Sequence, residues 1–90
     1  MEKKYKVEFT EKAKKQLYKL DKQHFIIIMN WISKNLNDCE NPRVHGKALT
    51  ANHAGKWRYR VGDYRILAKI DDEKIIIVVL EVGHRREIYG

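Results

Sequence analysis

The residues best suited to chemistry recur at every second position of a strand-like run, "KWRYRVGDYR", from Lys56 to Arg65. Strand side chains point alternately to the two faces of a sheet, so Arg58 and Arg60 share one face, as do Arg65 and Lys69 on the following strand. We call Arg58, Arg60, Arg65 and Lys69 the basic face. Lys56 has the same parity, two residues before Arg58. Such cations can bind phosphate, and Arg can grip it through two hydrogen bonds at once.

A simpler interpretation is that these charges only keep the wet side of a sheet soluble. The run from Lys56 to Val61 contains no acidic residue, however, and unpaired like charges on adjacent strands are destabilising. This favours an anion-binding site on the basic face.

The chain ends in "EVGHRREIYG", which adds candidate proton-transfer groups and further cations. His84 can donate or accept a proton near neutral pH, and Arg85 and Arg86 follow it directly. Tyr89 can stack on a nucleobase or, if neighbouring cations lower its pKa, act as a base. The alternative interpretation is that this segment is a frayed tail in which His84 is merely exposed. The nearby basic face argues against that interpretation.

The elements that must position these groups follow from the hydrophobic pattern. "KYKVEF" alternates as a half-buried strand, and Thr10 and Asp21 stand where helix N-caps belong. The second helix carries an apolar stripe that Ile26, Ile27 and Trp31 widen, which predicts burial on more than one side. The chain is turn-like from "NDCENP" to about Gly55.

Two more strands and an interior strand complete the predicted sheet. Gly62-Asp63 is a two-residue hairpin signal after the first arginine run, and "IIIVVL" is apolar enough to lie inside the sheet with helices on one face. The predicted order is β-α-α-β-β-β. We therefore expect residues 1–90 to form a single α+β domain, a two-layer sandwich with a twisted, mainly antiparallel sheet packed on two N-terminal helices.

The composition of the chain limits the classes of partner that it is expected to bind. The 90 residues include 19 Lys and Arg against 12 Asp and Glu, a formal net charge of +7. This favours nucleic acid, an anionic membrane or an acidic protein, and the strand location of the cations argues against the membrane. With one cysteine, no leader-like segment and no long apolar run, the chain is expected to be cytoplasmic. No metal-ligand or nucleotide-loop motif is present, so we predict no metal and no cofactor.

Two stretches, "VEFTEKAKKQLYKL" and "KWRYRVGDYRILAKIDDEKIIIVVLEVGHRREIY", resemble the RelE/ParE toxin superfamily, and most closely the RelE-type messenger-RNA endonucleases. The resemblance implies a RelE-like fold and a toxin of a type II toxin–antitoxin system, held in a hetero-oligomer by a RelB-like antitoxin encoded beside it. It further implies cleavage of messenger RNA in the A site of the 70S ribosome, without a metal, by attack of the 2′-OH on the adjacent phosphate.

The family's site residues fall on matching positions here. The resemblance implies that Arg65 and Arg85 clamp the phosphate and the transition state, that His84 is the general acid, and that Tyr89 is a base or a stacking platform. The resemblance implies that Arg58 and Arg60 position the RNA backbone and can stabilise charge. From the charge pattern, and not from the resemblance, we also expect Lys56, Lys69 and Arg86 to bind RNA or phosphate. Two alternatives stay open, a ParE-like poison of DNA gyrase and a basic nucleic-acid-binding module without catalysis.

Overall fold

Two helices pack on one face of a five-stranded mixed sheet in the computed structural model, which describes residues 3–86. The strands are β1 (Lys6–Phe9), β2 (Lys47–Ala48), β3 (Trp57–Val61), β4 (Tyr64–Asp71) and β5 (Ile76–His84), and the helices are α1 (Glu11–Tyr18) and α2 (Lys22–Asn35). The sheet order is β1-β5-β4-β3-β2, with β1 parallel to β5 and the other pairs antiparallel. The predicted α+β sandwich is confirmed, with β5 inside the sheet.

One strand was not predicted. The segment between α2 and β3 contains the two-residue β2, which pairs with Trp57 and Arg58 and then leaves the rest of β3 at the sheet edge. A short 3₁₀ turn at Ala51–His53 follows it. So short a strand carries no readable period, which is why the sequence indicated only a turn-like region.

Helix α1 begins at the predicted cap. The Thr10 hydroxyl accepts the Ala13 backbone N–H at 3.1 Å and donates to the Leu80 carbonyl at 3.0 Å. The Gln16 side-chain oxygen accepts the Val82 N–H at 2.7 Å. Strand β1 pairs with β5 only as far as Val79, so the backbone groups of β5 beyond it have no partner in β1. The side chains of Thr10 and Gln16 supply hydrogen bonds to the Leu80 carbonyl and the Val82 N–H instead.

The core lies between the helices and the covered face of the sheet. The prediction that α2 is buried on more than one side is wrong, since Ile26 and Ile27 are 44% and 47% exposed. Only one stripe of the helix faces the sheet, and this is the usual arrangement for a helix covering a single layer. The buried side chains include Ala13, Leu17, Ile28, Ile32, Leu36, Tyr59, Ile66, Ala68, Ile77, Val79 and Val82.

A β-bulge interrupts the pairing of β4 with β5. Leu67 pairs with Glu81 and Ala68 with Val79, so Leu80 is an extra residue in β5. Beyond the bulge every side chain of β5 changes face relative to strict alternation. Val82 and His84 therefore lie on the helix-covered face, where they pair with Ile66 and Tyr64.

Between residues 3 and 86, no helix has both the length and the apolar character needed to cross a membrane.

Candidate active site

The basic face is assembled by the β3–β4 hairpin. Gly62, in the two-residue turn, has φ of +60°, and the resulting register places Arg60 directly opposite Arg65. Arg58 is opposite the buried Leu67, so the cations surround an apolar centre. Among the ion pairs of the described part of the chain, none includes Arg60 or Arg65. Two adjacent guanidinium groups that the described residues do not neutralise make this end of the sheet suited to an anion.

Arg85 lies at the same end of the sheet. Gly83 pairs with Arg65, and the Arg85 backbone N–H donates to the Asp63 carbonyl in the hairpin turn at 2.8 Å. The segment after β5 is thereby tied to the turn that joins Arg60 to Arg65. The structure thus brings three of the predicted arginines, Arg60, Arg65 and Arg85, to one corner of the molecule, here called the arginine corner.

His84 lies on the other face. It pairs with Tyr64, the two rings meet edge to face at 5.7 Å between centroids, and Tyr64 contacts the ring of His24 in α2 at 5.0 Å. His84 was expected beside the basic face, and the bulge instead turns its side chain to the helix-covered face. Its role as the general acid stays a prediction. As the half-buried last residue of β5 it still reaches the end of the sheet, where the Arg86 N–H donates to Nδ1 at 3.3 Å.

The remaining predicted residues are more dispersed. Lys69 is exposed on β4, two rows from Arg65 and opposite Val78. Lys56 lines a separate cleft of about 210 Å³ together with Arg43 and Trp57. Arg86 is exposed, and the predicted site residue Tyr89 lies outside the described residues.

Sequence reasoning missed a second group of residues beside the arginines. A cleft of about 420 Å³, here called the β3-edge cleft, is lined by Trp31, His45, Gly46, Lys47, Arg58 and Arg60. Its outer wall comes from the irregular segment before β3, where no periodicity points to a shared face. The only available signal was the glycine in "VHGK", which suggested a turn and not a close backbone contact.

The clearest electrostatic cluster lies away from the arginine corner. Arg43 donates two hydrogen bonds, of 3.1 and 3.0 Å, to the Asp72 carboxylate, and the Tyr5 hydroxyl donates a third at 2.7 Å. These donors, Arg43 foremost, hold the pKa of Asp72 below its ordinary value, and the same carboxylate raises the pKa of Tyr5. The cluster joins Tyr5, just before β1, and Arg43, in the segment between α2 and β2, to the β4–β5 turn, which is a structural role.

Burial explains the raised pKa of a second tyrosine, Tyr59 in β3. The Tyr59 hydroxyl is buried and donates to the Pro42 carbonyl at 2.7 Å, and burial raises the pKa of Tyr59 well above its ordinary value. Tyr59 is therefore a packed neutral donor and not a base. In residues 3–86, no group of three or more His, Cys, Asp or Glu side chains is placed to hold a metal ion.

Comparison with known proteins agrees with this architecture. A family model described as the ParE toxin of the type II toxin–antitoxin system parDE matches residues 7–89. Toxin RelG of Mycobacterium tuberculosis is 36% identical over 85 residues, which span 94% of this chain and 95% of RelG.

Solved structures give the same result. The toxin–antitoxin complex RelBE2 of M. tuberculosis contains a chain with 35% identity and a TM-score of 0.83, the match covering 91% of this chain and 92% of that one. The intact Escherichia coli RelBE complex contains one with 24% identity and a TM-score of 0.71, covering 89% and 95%, which shows the fold alone. With a family match over most of its length and a close relative of the same size, this chain belongs to the RelE/ParE superfamily of type II toxin–antitoxin toxins.

Proposed function

We propose that this toxin is a ribosome-dependent endoribonuclease that cuts messenger RNA in the A site and so stops translation in the cytoplasm. The observation that carries the proposal is the arginine corner, where Arg60 and Arg65 are cross-strand neighbours and Arg85 is tied to the turn between them. A basic surface for gyrase binding would not need cations grouped so closely around one point.

In the proposed reaction, the ribose 2′-oxygen bonds to the adjacent phosphorus and the bond from phosphorus to the 5′-oxygen breaks. The 2′-OH proton goes to a base and the leaving 5′-oxygen receives a proton from an acid, so the products are a cyclic phosphate and a 5′-hydroxyl end. Arg65 and Arg85 stabilise the charge that develops on the phosphoryl oxygens. Arg58 and Arg60 hold the neighbouring backbone.

Proton transfer is assigned to other residues, because an arginine side chain stays protonated and is a poor acid or base. Tyr89 is proposed as the base or as a stacking platform, and His84 as the acid that protonates the leaving group. Because Nδ1 lies against the Arg86 amide N–H, Nε2 is the ring nitrogen that we assign to proton transfer. The ribosome would orient the messenger for in-line attack, so weak activity on free RNA is expected.

The test is expression from a repressed promoter followed by mapping of messenger 5′ ends. New ends within translated codons should disappear when ribosomes are kept off the message, and they should fade in Arg65→Ala and Arg85→Ala variants. Growth arrest with intact messages would overturn the proposal.

A ParE-like gyrase poison is the second candidate, because the matching family model carries the ParE description. It predicts that purified gyrase is inhibited by this chain without RNA, and that Arg85→Ala leaves this inhibition unchanged.

We also propose a RelB-like antitoxin as the partner, with acidic groups on the basic face and an amphipathic helix on an apolar strip beside α1 and α2. Two grooves, of about 280 and 210 Å³, share Phe9 and Met29 and so form one strip. Tyr18, at its end, is 76% exposed. An apolar strip between helices suits a helical ligand. The solved complexes RelBE2 and RelBE contain antitoxin with such toxins.

Tyr18→Lys should weaken the complex with the antitoxin encoded beside the toxin, whereas Val44→Lys, also at an exposed apolar residue but outside the strip, should not. Equal loss of affinity in both variants would exclude this docking site.

A further inference from the structure

The β3-edge cleft has the form of a small-ligand site. It exists because β2 pairs with β3 at Trp57 and Arg58, and within residues 3–86 no strand pairs with this edge of β3 next to Arg60. The loop before β2 forms the opposite wall. Its volume of about 420 Å³ lies within the roughly 300–1,000 Å³ usual for ligand pockets.

The wall of the cleft is fixed by close backbone packing. Gly46 has φ of +74°, and a Cβ at this position would lie 2.1 Å from the Arg58 carbonyl oxygen, so only glycine lets the loop approach β3. The Trp57 indole N–H donates to the His45 carbonyl at 2.7 Å. The cleft is therefore formed before any ligand arrives.

Two aromatic rings line the cleft. The His45 ring meets the Trp31 ring edge to face at 5.6 Å between centroids, and Trp31 in turn rests on the buried Tyr59 at 5.7 Å. His45 is exposed and Trp31 is partly exposed, so both rings are accessible from the cleft that they line.

Cations line the same cleft. Among the described residues, Lys47, Arg58 and Arg60 line it and no carboxylate does. Aromatic faces beside cations are the combination that binds single-stranded nucleic acid, with the base stacked and the phosphate paired. We propose that the β3-edge cleft binds one unpaired nucleotide of RNA, its base against Trp31 and His45 and its phosphate on Lys47, Arg58 and Arg60.

The position of the cleft explains what this nucleotide would do. Arg60 both lines the cleft and lies opposite Arg65, so a nucleotide held there is next to the phosphate that Arg65 and Arg85 would clamp. The site would thus fix the substrate beside the cleaved bond. The choice of RNA rests on the proposed function, whereas the binding of a base and a phosphate does not.

Binding can be measured without cleavage. The full chain, made by chemical synthesis, is titrated into a fluorescein-labelled RNA hexamer and into an abasic ribose-phosphate hexamer of the same charge, and anisotropy gives both dissociation constants. His45→Ala changes a residue of an exposed loop, so it should not affect folding. Trp31→Phe is used in place of Trp31→Ala because it keeps an aromatic ring at a partly buried position. Lys47→Gln is compared with Lys74→Gln, which removes the same charge in the β4–β5 turn.

We expect the RNA hexamer to bind roughly 5- to 150-fold more tightly than the abasic one, the range for one stacked base. His45→Ala and Trp31→Phe should reduce that ratio. Lys47→Gln should lower the salt dependence of log K by about 0.7, the value for one single-strand phosphate contact, and Lys74→Gln should not.

Equal affinity for the two hexamers would overturn the proposal, as would equal effects of Lys47→Gln and Lys74→Gln. A DNA hexamer that binds as tightly as RNA would support the base-and-phosphate site and remove the RNA assignment. Base-dependent binding without messenger cleavage would reject the proposed function alone, and messenger cleavage without base-dependent binding would reject this subsite alone.

Discussion

Arg60 and Arg65 are directly opposite each other on β3 and β4, two guanidinium groups on one face of adjacent strands. Like charges in this relationship cost roughly 0.2–1 kcal/mol of stability. No ion pair in the described part of the chain offsets this repulsion at either residue. An anionic ligand would explain why the pair is present despite this cost. A phosphate bound between the two guanidinium groups would replace their repulsion by attraction to the phosphate.

Replacing one member of this pair should therefore separate stability from activity. We expect Arg65→Gln to raise the free energy of unfolding by about 0.2–1 kcal/mol, as the repulsion is relieved, and to lower messenger cleavage by roughly 10²- to 10³-fold. Urea unfolding and primer extension measure the two effects. Lys74→Gln, which removes an exposed charge in the β4–β5 turn, is the matched control. A destabilised Arg65→Gln would show that Arg65 is a structural residue.

His84 tests whether a side chain on the helix-covered face takes part in the reaction. In His84→Gln the side-chain oxygen can still accept the Arg86 N–H, but the residue cannot act as an acid. We expect cleavage to fall by roughly 10²- to 10⁴-fold with little change in thermal stability. Wild-type cleavage by this variant would remove His84 from the mechanism and leave it as a packing partner of Tyr64.

The Asp72 cluster should make stability depend on acid pH. The pKa of Asp72 is lowered in the folded state, chiefly by Arg43, so its stabilising effect is complete above the ordinary value of 3.8 and is lost as the pH falls through the folded-state pKa. Asp72→Asn should lower the melting temperature at pH 7, and this difference should shrink below pH 3.8. Glu73→Gln, at the exposed neighbouring residue, should show no such convergence. A constant difference between wild type and Asp72→Asn across this range would mean that ionisation of Asp72 is not what stabilises the cluster.

The elements with a clear period were predictable from the sequence. Thr10 marks the start of α1 and Gly62-Asp63 the hairpin, because a cap and a two-residue turn are local features that need no tertiary information. The common face of Arg60 and Arg65 follows from the same turn. The basic face could therefore be predicted from the sequence alone.

The bulge at Leu80 was the main feature that alternation alone missed, and it decides where His84 points. A sign of it is present in the sequence: alternation from Ile77 and Val79 would place the charged Glu81 in the core, and an extra residue at Leu80 puts Val82 there instead. The wall of the β3-edge cleft left no such sign. It depends on a contact between Gly46 and the backbone of β3, which only the folded chain shows.

The contact between Gly46 and the backbone of β3 predicts an effect on stability, and two other glycines serve as controls. Gly46, Gly55 and Gly62 all have positive φ, and an added Cβ meets nothing within 4 Å at Gly55 or Gly62 but lies 2.1 Å from the Arg58 carbonyl oxygen at Gly46. Alanine at Gly55 or Gly62 should therefore cost only the backbone strain, about 1–3 kcal/mol. Gly46→Ala should cost more, because the loop must move away from β3, and it should also open the cleft and weaken RNA binding. Urea unfolding of the three variants measures the difference, and equal losses would mean that the loop before β2 is free to shift.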